Sequence, residues 1–144
     1  MNRTEIEAAI PHRPPMLLVD SILEQDDNHI VCEKTFHEDE FFFQGHYPGH
    51  PIVPGVILCE CAMQAGAVLL SRFAKSETGI PVATRLNDVQ FRKIIHPGDT
   101  IQVAVQLDER LANAFFLTAR LSSAKSTVAR FHFACTLASI PQPK

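Results

Sequence analysis

The stretch from Ile52 to Ser71 does most to restrict what this chain can become. It is apolar nearly all round, and a helix of that kind must be covered on most of its sides. It is also about long enough to cross a bilayer by the ~20-residue rule. Yet it contains Pro54, Gly55, Glu60, Gln64 and Gly66. A central carboxylate alone costs roughly 2.5–3.5 kcal/mol on insertion scales, and no positive flank precedes the stretch. It therefore reads as a buried helix of a soluble protein, from about Gly55 to about Lys75, with Pro54 near its first turn. No membrane is expected. The rest of the chain has to supply the cover.

The flanking sequence reads mostly as sheet. Thr4-Glu5-Ile6-Glu7 has the form of a capping box and predicts a short helix that Pro11 ends. Leu17 to Leu23 and His29 to Phe36 fit two strands of a hairpin, joined by the turn signal Asp26-Asp27-Asn28. Phe41 to Pro54 is rich in glycine and proline and cannot be regular. Asp88 to Ile94 fits a strand. Pro97-Gly98-Asp99 then turns the chain into a run where Ile101, Val103, Val105 and Leu107 alternate with polar or small residues. Phe115 to Ser122 is a further strand. Ala129 to Leu137 alternates cleanly with Arg130, His132, Ala134 and Thr136. Strands segregated from helices indicate an α+β fold. A curved antiparallel sheet wrapped around the long apolar helix meets the need for cover. With no repeat or linker, residues 1–144 form a single domain.

Charge and cysteine content remove several classes of function. The formal net charge is -3 with no long basic run, so nucleic acid is not an expected partner. Cys32, Cys59, Cys61 and Cys135 show no C-x-x-C spacing, and no secretory signal precedes them. They read as buried free thiols in a reducing cytoplasm.

The chemistry concentrates where the irregular segment meets the helix. His46 sits in a Gly/Pro-rich loop just before the helix N-terminus. Histidine is the side chain best suited to proton transfer near neutral pH. The helix start offers unpaired N–H groups and the positive end of the dipole, which suit a developing enolate oxygen. Glu60 lies in the second turn, facing apolar surroundings, where an isolated carboxyl group favours its protonated form and can donate a proton. Gln64, one turn further on the same face, is placed to orient it. His46 and His50 are separated by Tyr-Pro-Gly, so they make no helical i,i+4 metal pair, and no third ligand is evident. No metal or cofactor is expected.

The segment from Gly45-His46-Tyr47-Pro48-Gly49-His50 to Pro54-Gly55, with Glu60 and Gln64 in the helix behind it, resembles the signature of the 3-hydroxyacyl-[acyl carrier protein] dehydratases of type II fatty acid synthesis. Ile10 to Asp20 is similar to their N-terminal motif. Val89 to Asp99 is similar to their Phe-Arg…Pro-Gly-Asp motif. The likeness runs from about Ile10 to Ala138. Tyr47 stands where phenylalanine is expected, Cys61 where alanine is, and His96 where an apolar residue is common. Glu60 in place of aspartate matches the dehydratase-only branch.

The resemblance implies a hot-dog fold and a hydro-lyase that converts a (3R)-hydroxyacyl thioester to the trans-2-enoyl thioester in fatty acid or related acyl-chain biosynthesis. His46 and Glu60 would be catalytic, and Gly55, Gln64 and Tyr47 would bind substrate. The partners would be acyl carrier protein and a second copy of the chain, in a homodimer or a trimer of dimers, with His46 and Glu60 of one site drawn from different chains. Arg72, Lys75, Arg92 and Lys93 are candidates to meet the acidic carrier. Competing readings are a hot-dog acyl-thioesterase, an enoyl-CoA hydratase and a non-catalytic acyl-carrier-binding subunit.

Overall fold

Cover for the apolar helix comes from one sheet. The computed structural model describes residues 3–74 and 79–139. In chain order the elements are α1 (Arg3–Ala9), β1 (Ser21–Gln25), β2 (His29–Thr35), α2 (Gly55–Leu70), β3 (Ile80–Phe91), β4 (Thr100–Leu111), β5 (Ala114–Ser123) and β6 (Ser126–Ala138). The strands form a single antiparallel sheet in the order β1-β2-β4-β5-β6-β3. α2 packs on β2, β3, β4 and β5, and α1 touches its side. This is the sheet-wrapped helix of the hot-dog fold.

Alternation along the strands decides which side chains face α2. Ile101, Val103 and Val105 of β4 are buried, as are Phe115, Leu117, Ala119 and Leu121 of β5 and Phe131 and Phe133 of β6. Full burial of each large apolar side chain stabilises the fold by about 1.5–3 kcal/mol. Their sequence neighbours Gln102, Gln106, Arg130 and His132 point to solvent. Helix and sheet come close at Gly66, where a Cβ would lie 2.8 Å from Phe133 Cζ. The segment Gly55–Phe73 is long and apolar enough to cross a membrane, but 67% of it is buried inside the domain.

The element boundaries differ from the sequence reading in three places. The first strand begins at Ser21 rather than Leu17. Leu17, Leu18 and Val19 are buried, but the Leu18 N–H bonds to a helix side chain, Gln64 Oε1, and not to a neighbouring strand. The long helix ends at Leu70 and tightens into a 3-10 turn over Ser71–Phe73. Lys75 lies outside the described residues. The strand expected at Asp88–Ile94 is the end of the much longer β3, which stops at Phe91. β3 lacks alternation because most of it is exposed on both faces. It sits at the sheet edge, paired on one side with β6.

All four cysteines are free and buried. Burial pushes the Cys32 thiol up to about 12 and Cys135 up to about 11, and lifts Cys61 as well. Unfolded thiols ionise near pH ~8.5. Above that pH the unfolded chain binds fewer protons than the native one, so stability falls as pH rises towards the native values. Each thiol contributes a slope of up to about 1.4 kcal/mol per pH unit. Urea unfolding followed from pH 7 to 10.5 is expected to show this decline. Replacing Cys32 and Cys135 by alanine should flatten it. An equal slope in that variant would refute the assignment.

Candidate active site

His46 is placed by a loop that has little regular structure but many anchors. Lys34 on β2, its side chain only 4% exposed, holds the Glu40 carboxylate at 2.6 Å, with Asp20 3.8 Å away. Glu40 Oε2 also accepts the His37 N–H at 2.8 Å. A 3-10 turn over Phe41–Phe43 follows and buries Phe42 and Phe43. The chain then passes through Gly45 (φ 79), Tyr47 (φ 57) and Gly49 (φ 89). Left-handed backbone is cheap for glycine and costly for tyrosine, and such strain tends to collect at functional sites.

The imidazole of His46 is oriented by the backbone. Its Nδ1 lies 3.0 Å from the Ile52 carbonyl oxygen. A carbonyl only accepts, so Nδ1 carries the proton in the bonded tautomer and Nε2 keeps its lone pair. The free nitrogen is the basic one. The Tyr47 ring meets the His46 ring edge-on at 4.8 Å and is itself 62% exposed. Gly55 opens α2. A Cβ there would meet the Phe91 ring at 2.9 Å, so glycine lets the end of β3 lie against the helix start.

Glu60 is held by an amide whose orientation is fixed. Gln64 Oε1 accepts the Leu18 N–H at 2.7 Å, and Gln64 Nε2 donates to the Met16 carbonyl at 2.7 Å. These partners leave one way round for the carboxamide. The remaining Nε2 proton goes to Glu60 Oε2 at 2.8 Å. The carboxyl group borders a cleft of about 260 Å³ whose walls include Met63, Ala67, Ile80, Val82 and Cys135.

One expectation needs correction. Glu60 is not an isolated carboxyl in apolar surroundings: it has the Gln64 amide, His12 Nε2 lies 3.7 Å from its Oε2, and its side chain is 26% exposed. His12 was passed over in the sequence, although it stands within the quoted segment Ile10 to Asp20. Its signal was an imidazole in a buried-then-turning Pro-rich segment, which has no fixed spacing to Glu60. Within one chain, Gln64 is brought to Glu60 and His46 is not: no bond or ion pair between His46 and Glu60 exists among the described residues. Of the basic candidates, Arg72 is engaged by Asp27 at 3.2 Å and stacks on Phe73, while Arg92 and Lys93 are exposed just beyond β3.

A sheet wrapped around a helix, with a polar constellation near the helix start, defines a protein of the hot-dog class. The sequence model of the ApeI-like family, described as ApeI dehydratase, matches residues 22–132. A 3-hydroxyacyl-[acyl-carrier-protein] dehydratase FabZ of Oenococcus oeni is 41% identical over 110 residues, 76% of this chain and 79% of that protein. Its counterpart in Streptococcus pyogenes serotype M3 is 37% identical over 120 residues, 83% of this chain and 86% of that one. The solved dehydratase heterocomplex ApeI:P from Xenorhabdus doucetiae has the same fold, with a TM-score of 0.79 at 16% identity over 93% of this chain and 91% of that one. The chain belongs to the family of the 3-hydroxyacyl-[acyl carrier protein] dehydratases and is a hydro-lyase.

The Gln64 network makes a stability prediction. In Gln64→Leu the buried Leu18 N–H and the Met16 carbonyl lose their partners, each at a cost of roughly 1–3 kcal/mol. Thermal or urea unfolding should show a loss of about 2–6 kcal/mol in total. A variant as stable as the parent would mean that the segment is anchored elsewhere.

Proposed function

We propose that the chain removes water from (3R)-hydroxyacyl-[acyl carrier protein] in the cytoplasm, with His46 as base and Glu60 as acid. His46 Nε2 takes the C2 proton, and the C2–H electrons form the C2=C3 double bond. The C3–O bond breaks, and Glu60 protonates the departing hydroxyl to give water. The Gly55 N–H, at the positive end of α2, polarises the thioester carbonyl as enolate charge develops. Gln64 and Tyr47 line the substrate's path. The observation that carries this reading is the Glu60 carboxyl group at an apolar cleft, fixed by a neutral amide.

The site is completed by a second copy of the chain. His46 and Glu60 do not meet within one chain, and β3 leaves an edge whose N–H and C=O groups are free for pairing. Leu86, Val89 and Phe91 of that edge strand are exposed, as is Val56 in the first turn of α2. Two such edges joined about a two-fold axis cover this surface and exclude water from the cleft.

His46→Ala and Glu60→Gln are each expected to lower turnover about 10²–10⁴-fold while the fold is kept. Mixing the two inactive variants under conditions that exchange subunits should restore part of the activity, because a mixed dimer keeps one site with both groups. No recovery despite proven exchange would overturn the shared site. Free acid as product, in place of an enoyl thioester, would identify a thioesterase instead.

Charge reversal at both Arg92 and Lys93 should raise KM for carrier-bound substrate and leave a small thioester mimic unaffected. Rising salt should weaken the parent's encounter with the carrier, since exposed charges are screened beyond about 8 Å at physiological ionic strength. Equal effects on both substrates would place these residues outside the docking surface.

A further inference from the structure

The dehydration written above leaves the enzyme out of balance. His46 ends with one proton more and Glu60 with one fewer. Before the next turnover Glu60 must be protonated again, and the group that does this has to reach its carboxylate from a place that can exchange with water.

The surroundings of Glu60 narrow the choice. Gln64 touches it, but a carboxamide has no proton to give at neutral pH. Cys135 borders the same cleft, but its thiol is pushed up to about 11 by burial. Within the chain that carries Glu60, the remaining titratable group facing it among the described residues is His12, whose Nε2 lies 3.7 Å from Glu60 Oε2. The His12 side chain is 30% exposed, so it meets the carboxyl group on one side and solvent on another.

His12 is also held in place. Arg13, the next residue, donates to the carbonyls of Ile10 at 2.8 Å, His12 at 2.7 Å and Glu7 at 2.8 Å, and pairs with the Glu7 carboxylate at 3.2 Å. Downstream, Gln64 binds the Met16 carbonyl and the Leu18 N–H. The segment carrying the imidazole is thus clamped on both sides, and the same amide that orients Glu60 anchors it. The one buried side-chain polar atom without a partner among the described residues is His12 Nδ1. The nitrogen nearer Glu60 is Nε2, so the orphan is the other ring nitrogen, and leaving it buried without a partner is costly.

The geometry points to a second imidazole in the reaction: His12 is a positioning residue that acts through Glu60, returning a proton to its carboxyl group after each turnover. This rests on the reading of Glu60 as the acid. In the return step the N–H bond at Nε2 of the His12 imidazolium breaks, its electron pair stays on nitrogen to leave the neutral ring, and an O–H bond forms on the Glu60 carboxylate. The imidazole then takes a replacement proton from water, and His46 releases its own to water. A shift of about 1 Å brings the 3.7 Å separation to the ~2.7–2.9 Å of a charge-assisted bond.

The test separates the first turnover from later ones. His12→Ala and His12→Gln are assayed on a short 3-hydroxyacyl thioester, with enzyme in excess and then with substrate in excess. With enzyme in excess each site acts once from its resting state, so the variants should match the parent within about twofold. With substrate in excess kcat should fall at least tenfold with KM little changed. Added imidazole should restore the rate of the variants and leave the parent unaffected. Gln keeps a hydrogen-bond donor near Glu60 but carries no exchangeable acid, so it should be as slow as Ala, and it serves as the folded variant if Ala does not fold. Normal multiple turnover in either variant, equal slowing in both regimes, or no response to imidazole would overturn the proposal. Glu60→Gln is run alongside. If it turns over normally, the acid assignment itself has failed. If it is inactive while His12→Gln is unimpaired, only the proton-return role has.

Discussion

The Gln64 carboxamide is the junction on which the rest of the site depends. Its oxygen and one of its protons bind backbone groups of the segment before β1, and its other proton binds Glu60. A 1%-exposed amide with every strong valence used cannot rotate without leaving a buried group unpaired. The helix register, the path of residues 16–18 and the carboxyl rotamer are therefore coupled. A change in any of them is felt by the other two, so this chain has little freedom to move the Glu60 carboxyl group without disturbing the fold.

The same junction explains how the helix and sheet divide their tasks. α2 is buried along most of its length because the sheet curls around it, and Gly66 lets Phe133 lie against its backbone. A packed interior of that kind has few alternative arrangements. Groups mounted on it are consequently precise. The irregular loop before α2 has no such support, and it gains precision instead from the buried Lys34–Glu40 pair, the packed rings of Phe42 and Phe43, and the His46–Ile52 bond.

Much of this was legible in the sequence, for identifiable reasons. The buried helix followed from apolar residues on all sides of Gly55–Leu70, and β4 and β6 followed from clean alternation. Glu60 and Gln64 share a helical face, so four-residue spacing found their bond. The misses have physical causes too. β3 was half missed because an edge strand exposed on both faces shows no period-two signal. Residues 17–20 read as strand because an apolar run anchored by a helix side chain looks the same in sequence as one buried in a sheet. His12 lies 48 positions before Glu60, and no local pattern encodes a contact made by a turning segment folded back over a helix.

The partners of the charged groups differ according to task. Where the chain needs a fixed scaffold, as at Lys34 and Glu40, it uses a buried ion pair at 2.6 Å, and removing one partner of such a pair typically costs about 3–5 kcal/mol. At the candidate site it uses neutral partners: a backbone carbonyl for His46 and a carboxamide for Glu60. A cation within bonding distance of a carboxyl group stabilises its ionised form and opposes its service as an acid. A neutral donor fixes direction and leaves the proton available. An imidazole at 3.7 Å from Glu60 stands between these cases: too far for a settled hydrogen bond, and near enough to form one with a shift of about 1 Å.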